Sequence, residues 1–299
     1  MLSDTPTPKA GQTPEPAVAI DGGPGHAGVL ASRVVAVANQ KGGVGKTTTV
    51  VTLGACLTER KKRVLVVDLD PQANATSGLG LPAVEGGSLY PVLLGQGNAS
   101  ALVRETMIPG LDAIPSELDL AGSEVEIARV DGYLHCLQRA MAPLVAEHRY
   151  DVILIDCPPS LGILTMNALA AADSVLVPMQ CEYYALEGLS VVTDLIRRFR
   201  ESGANPRLRL EGILMTMFDG RTNLAAQVVQ EVRKHFGNAV YAAVIPRNVR
   251  LSEAPSHGRP VTLYDPRCPG AAAYRELADE FLRRSEAAGE SPDLQDAPA

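Results

Sequence analysis

Tryptophan is absent from this 299-residue chain and aromatic residues make up only 4% of it, so its core must be aliphatic. Cores of Val, Leu, Ile and Ala suit parallel strands that are buried on both faces. No apolar segment approaches the roughly 20 residues needed to cross a bilayer. The first 32 residues lack a basic start and an apolar h-region, but hold Pro6, Pro8, Pro14, Pro16 and Pro24 among several glycines. They read as a disordered tail and not as a signal peptide. Five cysteines, at positions 56, 136, 157, 181 and 268, show neither a C-x-x-C pair nor a metal-ligand rhythm. Small buried thiols of a reducing cytoplasm account for them.

Positive charge is also in short supply. Lys and Arg number 27 against 34 Asp and Glu, a net charge of −7, which argues against a protein that coats nucleic acid generally. The shortage is uneven. Residues 195–260 hold 11 basic against 5 acidic side chains and form the only basic segment, which reads equally as a surface patch for phosphates or as ordinary solvated helix faces. Residues 285–299 are small and acidic, and read as a second disordered tail. One compact domain over residues 33–284 remains, with 46% hydrophobic residues across the chain to fill its core.

What is present in that domain is a regular alternation. Apolar runs begin at Val34, Val64, Leu111, Asp151, Ser174, Gly212 and Ala239, and helical patterns cover 48–59, 132–147, 186–201, 224–236 and 270–284. Short Val/Ile/Leu strands alternating with helices predict an α/β fold, a doubly wound, mostly parallel sheet flanked by helices.

The most informative stretch is Gln40-Lys41-Gly42-Gly43-Val44-Gly45-Lys46-Thr47-Thr48, set between a strand pattern and a helix pattern. Glycines let successive N–H groups turn inward on phosphate oxygens, and the helix start adds the positive end of its dipole. Lys46 supplies a charge for the β/γ-phosphates and Thr47 a hydroxyl for Mg²⁺, so the chain is expected to bind ATP or GTP. The loop departs from the usual pattern, with Gln40 in place of glycine and an additional cation, Lys41. A lysine there is within reach of the bound anion or of a neighbouring subunit's anion.

Two acidic motifs follow, each at a strand's carboxyl end, where open α/β sheets place ligands. In Val67-Asp68-Leu69-Asp70-Pro71-Gln72, one of the two carboxylates can reach the γ-phosphate side and position an attacking water. In Ile153-Leu154-Ile155-Asp156-Cys157-Pro158-Pro159, Asp156 reads as the carboxylate that holds Mg²⁺.

Taken with Asp68 to Gly80, Asp156 to Gly162, Gln180-Cys181-Glu182-Tyr183-Tyr184-Ala185-Leu186-Glu187-Gly188-Leu189 and Ile245-Pro246-Arg247-Asn248-Val249-Arg250-Leu251-Ser252-Glu253-Ala254-Pro255-Ser256-His257-Gly258, the loop resembles the ParA/Soj chromosome-partitioning ATPases, over about residues 33 to 284. The resemblance implies slow ATP hydrolysis in a face-to-face homodimer. Lys41 would cross to the partner's phosphates and Asp70 would orient the water. Lys41 through Thr48 would hold ATP, Thr47 and Asp156 would hold Mg²⁺, and Pro246 and Asn248 would wall the adenine. It further implies sequence-independent binding of double-stranded DNA through Arg221 and Arg250. A ParB-type partner would stimulate hydrolysis, and the protein would be cytoplasmic and associated with the nucleoid.

Alternatives are a nucleotide-controlled DNA-binding regulator of replication or transcription and a MinD-like membrane-cycling ATPase. The second is opposed by Glu286, Glu290, Asp293 and Asp296, which anionic lipids repel. A reductase resembling the nitrogenase iron protein would need cluster-holding cysteines, with Cys136 and Cys157 the candidates. A synthetase using the same loop would need a small-molecule pocket, and a plasmid-partition relative a folded domain before the loop.

Overall fold

In the computed structural model, which describes residues 32–82, 84–182 and 185–290, eight strands form one sheet. They are β1 (Arg33–Val37), β2 (Val64–Asp68), β3 (Arg104–Glu105), β4 (Leu111–Ile114), β5 (Val152–Asp156), β6 (Ser174–Gln180), β7 (Arg209–Phe218) and β8 (Val240–Pro246). Their order is β3-β4-β2-β5-β1-β6-β7-β8, and every pairing is parallel except that of the short edge strand β3 with β4. The expected doubly wound parallel sheet is therefore present.

Alternating side chains divide each central strand between two cores. Val35, Val37, Val64, Val66, Val152 and Leu154 pack under the helices Lys46–Thr58 and Pro269–Glu290 on one face. Val34, Ala36, Leu65, Val67, Ile153 and Ile155 pack on the other face against the helices Cys136–Ala146, Ile163–Ala171, Ala185–Glu201 and Asn223–Phe236. Burial on both faces is why these strands read as unbroken apolar runs.

One expected boundary differs. The ordered domain does not stop at 284, because the last helix runs on to Glu290. Ser285 is anchored: its hydroxyl donates to the Phe281 carbonyl at 2.8 Å and receives the Arg33 guanidinium. Arg33 also pairs with buried Glu211, which takes the hydroxyls of Ser174 (2.7 Å) and Tyr241 (3.0 Å). Burial alone would raise the Glu211 carboxyl, but Arg33 and these hydroxyls bring it below its ordinary value. The expectations for residues 1–31 and 291–299 lie outside the described residues.

The helix Ile163–Ala171 was not legible, since a helix buried nearly all round shows no polar stripe. The basic segment 195–260 also fails to form one patch. Arg209 opens β7 at one end of the sheet, whereas Arg221, Arg247 and Arg250 follow the carboxyl ends of β7 and β8 at the other.

Candidate functional site

Strand register brings the predicted residues together. Asp156 at the end of β5 lies between Asp68 at the end of β2 and Val37 at the end of β1, where the glycine loop departs. Gly43 and Gly45 adopt left-handed φ values of 72° and 90°, which a side chain would strain. The loop is then fixed from the neighbouring strands. Gln180 Nε2 donates to the Gly43 carbonyl at 2.9 Å, and Thr216 Oγ1 donates to the Val44 carbonyl at 2.8 Å. Asn39 Nδ2 donates to the Pro178 carbonyl at 2.8 Å. With its backbone held by Gln180, Asn39 and Thr216, the loop is preorganised for an anion.

Lys46 begins the helix behind the loop and is only 6% exposed. Its ammonium donates to the Lys41 carbonyl at 3.1 Å. Burial lowers its pKa, while the carboxylate of Asp156 opposes the shift. Asp156 is fully buried, and neither of its oxygens has a hydrogen bond. Burial, and then the charge of Asp68, push its pKa well up; the Thr47 hydroxyl lies beside it and acts the other way without closing a well-aligned bond. A buried carboxylate without a partner, next to a hydroxyl, is the oxygen-donor set that a hard divalent cation takes.

Asp68 and Asp70 differ in their hydrogen-bond partners. Asp68 Oδ2 accepts from the Thr76 amide (2.8 Å) and hydroxyl (2.7 Å), and Oδ1 accepts from the Asp70 amide (3.2 Å). Its pKa is pushed up to about 6 by burial, and it serves to fasten the segment that carries Asp70. Asp70 accepts one bond, from the Gln72 amide to Oδ1 at 3.0 Å, which leaves Oδ2 available to a water.

Lys41 is exposed on the same loop, and its Nζ lies 2.5 Å from the Glu182 carboxylate beyond β6. Sequence reasoning did not single out Glu182, Gln180 or Thr216; the first two stood only within a segment quoted for resemblance, which continues through Tyr183 and Tyr184 outside the described residues. Pro246 ends β8 beside Phe218, and Asn248 Oδ1 caps the next turn by accepting from the Arg250 amide at 2.8 Å. The chain beyond them approaches the loop helix, since Leu251, Ala254 and Pro255 share a narrow cleft with Thr47 and Thr48. Contact of Pro246 or Asn248 with a base remains an expectation.

Both candidate DNA-binding arginines are exposed and locally paired. Arg221 forks onto Asp219 at 2.8 and 2.6 Å; Arg250 meets Glu253 at 2.8 Å and Asp265 at 3.4 Å. Cys136 and Cys157 are buried, and no group of three or more metal-ligating side chains occurs among the described residues. No helix among them is long and apolar enough to cross a membrane.

A family model described as an AAA domain matches residues 32–210. The sporulation initiation inhibitor protein Soj of Bacillus subtilis is 52% identical over 249 residues, covering 83% of this chain and 97% of its own. The chromosome partitioning protein ParA of Caulobacter vibrioides is 50% identical over 253 residues, covering 84% and 94%. Among solved structures, the cobyrinic acid a,c-diamide synthase of Mycobacterium smegmatis with bound ADP and magnesium is 40% identical, with a TM-score of 0.73 over 89% of this chain and all of its own. The cell division ATPase MinD of Pyrococcus furiosus is 27% identical, with a TM-score of 0.68 over 85% of this chain and 99% of its own. The sequence relatives, the matched domain and the loop with its two aspartates agree, and the chain belongs to the ParA/Soj family of chromosome-partitioning P-loop ATPases.

Proposed function

We propose that the protein binds ATP with Mg²⁺, pairs face to face with a second copy, and in that state holds double-stranded DNA until a ParB-type partner triggers hydrolysis. Its place of action would be the nucleoid. The observation that carries this is the convergence of Lys46 and Thr47, at the start of the helix behind the glycine loop, with the unpartnered Asp156 carboxylate at the end of β5, and a second lysine exposed beside them. Relatives at 50% and 51% identity carry the name chromosome partitioning protein, whereas the structure named a synthase is 40% identical, so partitioning is preferred over a biosynthetic role.

The loop amides and Lys46 would bind the β- and γ-phosphates, with Lys46 leaving the Lys41 carbonyl on which it rests in the structure. Thr47 and Asp156 would hold Mg²⁺, which supplies charge neutralisation on the phosphoryl oxygens. Asp70 would orient water through Oδ2. Lys41 would reach the partner's phosphates, stabilising transferred charge as a cation supplied in trans does. Arg221 and Arg250 can take DNA phosphates while keeping their carboxylate partners, because a guanidinium has five N–H donors. Two such contacts per protomer give a dimer a salt-dependence slope of roughly 3.6, at about 0.9 per contact.

Sedimentation and DNA-shift measurements on four variants test the scheme. Lys46→Ala should lose nucleotide, Lys41→Ala should bind ATP yet stay monomeric, and Asp70→Ala should persist as an ATP dimer on DNA. Arg221→Ala with Arg250→Ala should pair normally and lose DNA. A monomeric Asp70→Ala protein in ATP would refute the proposal, and an ATPase unmoved by DNA and partner together would favour the regulator alternative.

A further inference from the structure

The second lysine of the loop is already engaged. Lys41 Nζ sits 2.5 Å from Glu182 of its own chain, just past the end of β6. The two ends of this contact are held in register by the framework beneath. The Lys41 amide donates to Asn39 Oδ1 at 3.0 Å, and Gln180, two residues before Glu182, donates to the Gly43 carbonyl at 2.9 Å. The Glu182 amide in turn donates to the Gln180 carbonyl at 2.9 Å. A lysine engaged by a carboxylate of its own chain must give up that contact to reach across to another molecule.

We propose that Glu182 is a latch: it holds Lys41 in cis in the nucleotide-free monomer, and pairing requires each copy to release that lysine toward its partner's phosphates. This rests on the trans role assigned to Lys41 above. Glu182 is thus a positioning residue that sets the concentration at which ATP drives pairing. A triphosphate wins the lysine because it carries more negative charge than one carboxylate and sits where water is excluded on closure. A diphosphate lacks the γ-phosphoryl group and leaves the lysine with Glu182.

The pair is about half exposed, at 53% and 57% for the two side chains, so each latch is weak. Exposed pairs of this kind shift an equilibrium roughly 1.5- to 5-fold each, and a dimer must open two, giving roughly 2- to 30-fold in the pairing constant. A weak latch suits a switch that must yield to ATP.

The experiment is sedimentation of the full chain with Mg²⁺ and a non-hydrolysable ATP analogue, for wild type, Glu182→Gln, Glu182→Asp and Lys41→Ala, at low and high salt. Glu182→Gln should pair at a concentration roughly 2- to 30-fold lower than wild type at low salt. The advantage should shrink at high salt, where an exposed ion pair is screened in both proteins. Glu182→Asp should behave nearly as wild type. If Glu182→Gln pairs no better than wild type while Lys41→Ala fails to pair, the latch is wrong and the trans lysine stands. An advantage unchanged by salt, or shared by Glu182→Asp, also overturns the latch, since it comes from packing and not from charge. If Lys41→Ala pairs like wild type, the trans role itself has failed.

Discussion

Replacing Asp156 by Asn should stabilise the protein without ligands while destroying its response to Mg²⁺ and ATP. The carboxylate is wholly buried and has no hydrogen bond, and burial together with Asp68 pushes its pKa well above the ordinary value near 4. The sign follows from the protons held by each state. Between about pH 4 and its raised folded value, the folded chain keeps a proton that the unfolded chain has lost. Stability therefore falls as pH rises through that window. One such proton tilts stability by up to about 1.4 kcal/mol per pH unit, or about 3–6 °C in Tm for a domain of this size. Asparagine holds no titrating proton, so the variant lacks this fall, and the melting temperatures of the two proteins should diverge upward from pH 4.5. Remote carboxylates such as Glu211 titrate alike in both proteins and cancel in the difference; Asp68, whose charge bears directly on Asp156, titrates lower in the variant and adds to the divergence.

Ligand reverses the order. Binding at about 100 times Kd adds about 2.7 kcal/mol to the native state, so Mg²⁺ with ATP should raise wild-type Tm by about 5–11 °C and the variant hardly at all. Differential scanning fluorimetry from pH 4.5 to 7, with and without ligand, measures both effects. An Asp156→Asn protein that melts below wild type at every pH, or gains as much from Mg²⁺ and ATP, would refute the assignment of this carboxylate to the cation.

Other perturbations separate the framework from the chemistry. Thr216→Val removes the buried hydroxyl that holds the Val44 carbonyl; it should cost about 1–3 kcal/mol of stability and weaken ATP binding, both measurable by calorimetry. Glu211→Ala removes the buried carboxylate and leaves the partly buried Arg33 without it at the opposite end of the sheet, so it should cost about 3 kcal/mol in chemical denaturation while ATP affinity per folded molecule is kept. Thr76→Val deprives Asp68 of a hydroxyl at 2.7 Å; with burial already holding that carboxyl near 6, its pKa should rise further, read as a shift of its carbon resonance in an NMR titration.

Sequence served well where one residue type must occupy one backbone site, and poorly where a group's role depends on what lies across the sheet. The glycine loop, Lys46, Thr47 and Asp156 are tied to strand ends that periodicity locates, and register then puts Asp68 and Asp156 side by side. The residue pattern by itself did not separate Asp68 from Asp70, two acids one residue apart, and only the resemblance pointed to Asp70; Thr76, brought back by a short helix, saturates Asp68 and leaves Asp70 open. The excess of arginine at 195–260 could not be placed on one surface or several, because sequence does not show that β7 separates Arg209 at its start from Arg221 just past its end. Ser285 looked like the start of a tail because nothing local predicts that Arg33, at the other end of the chain, will reach it. Glu182 is the most consequential case. As one acid in a loop it carries no signal, yet its contact with Lys41 decides whether the loop's second cation is free to act between molecules, and only the juxtaposition of the ends of β1 and β6 makes that contact possible.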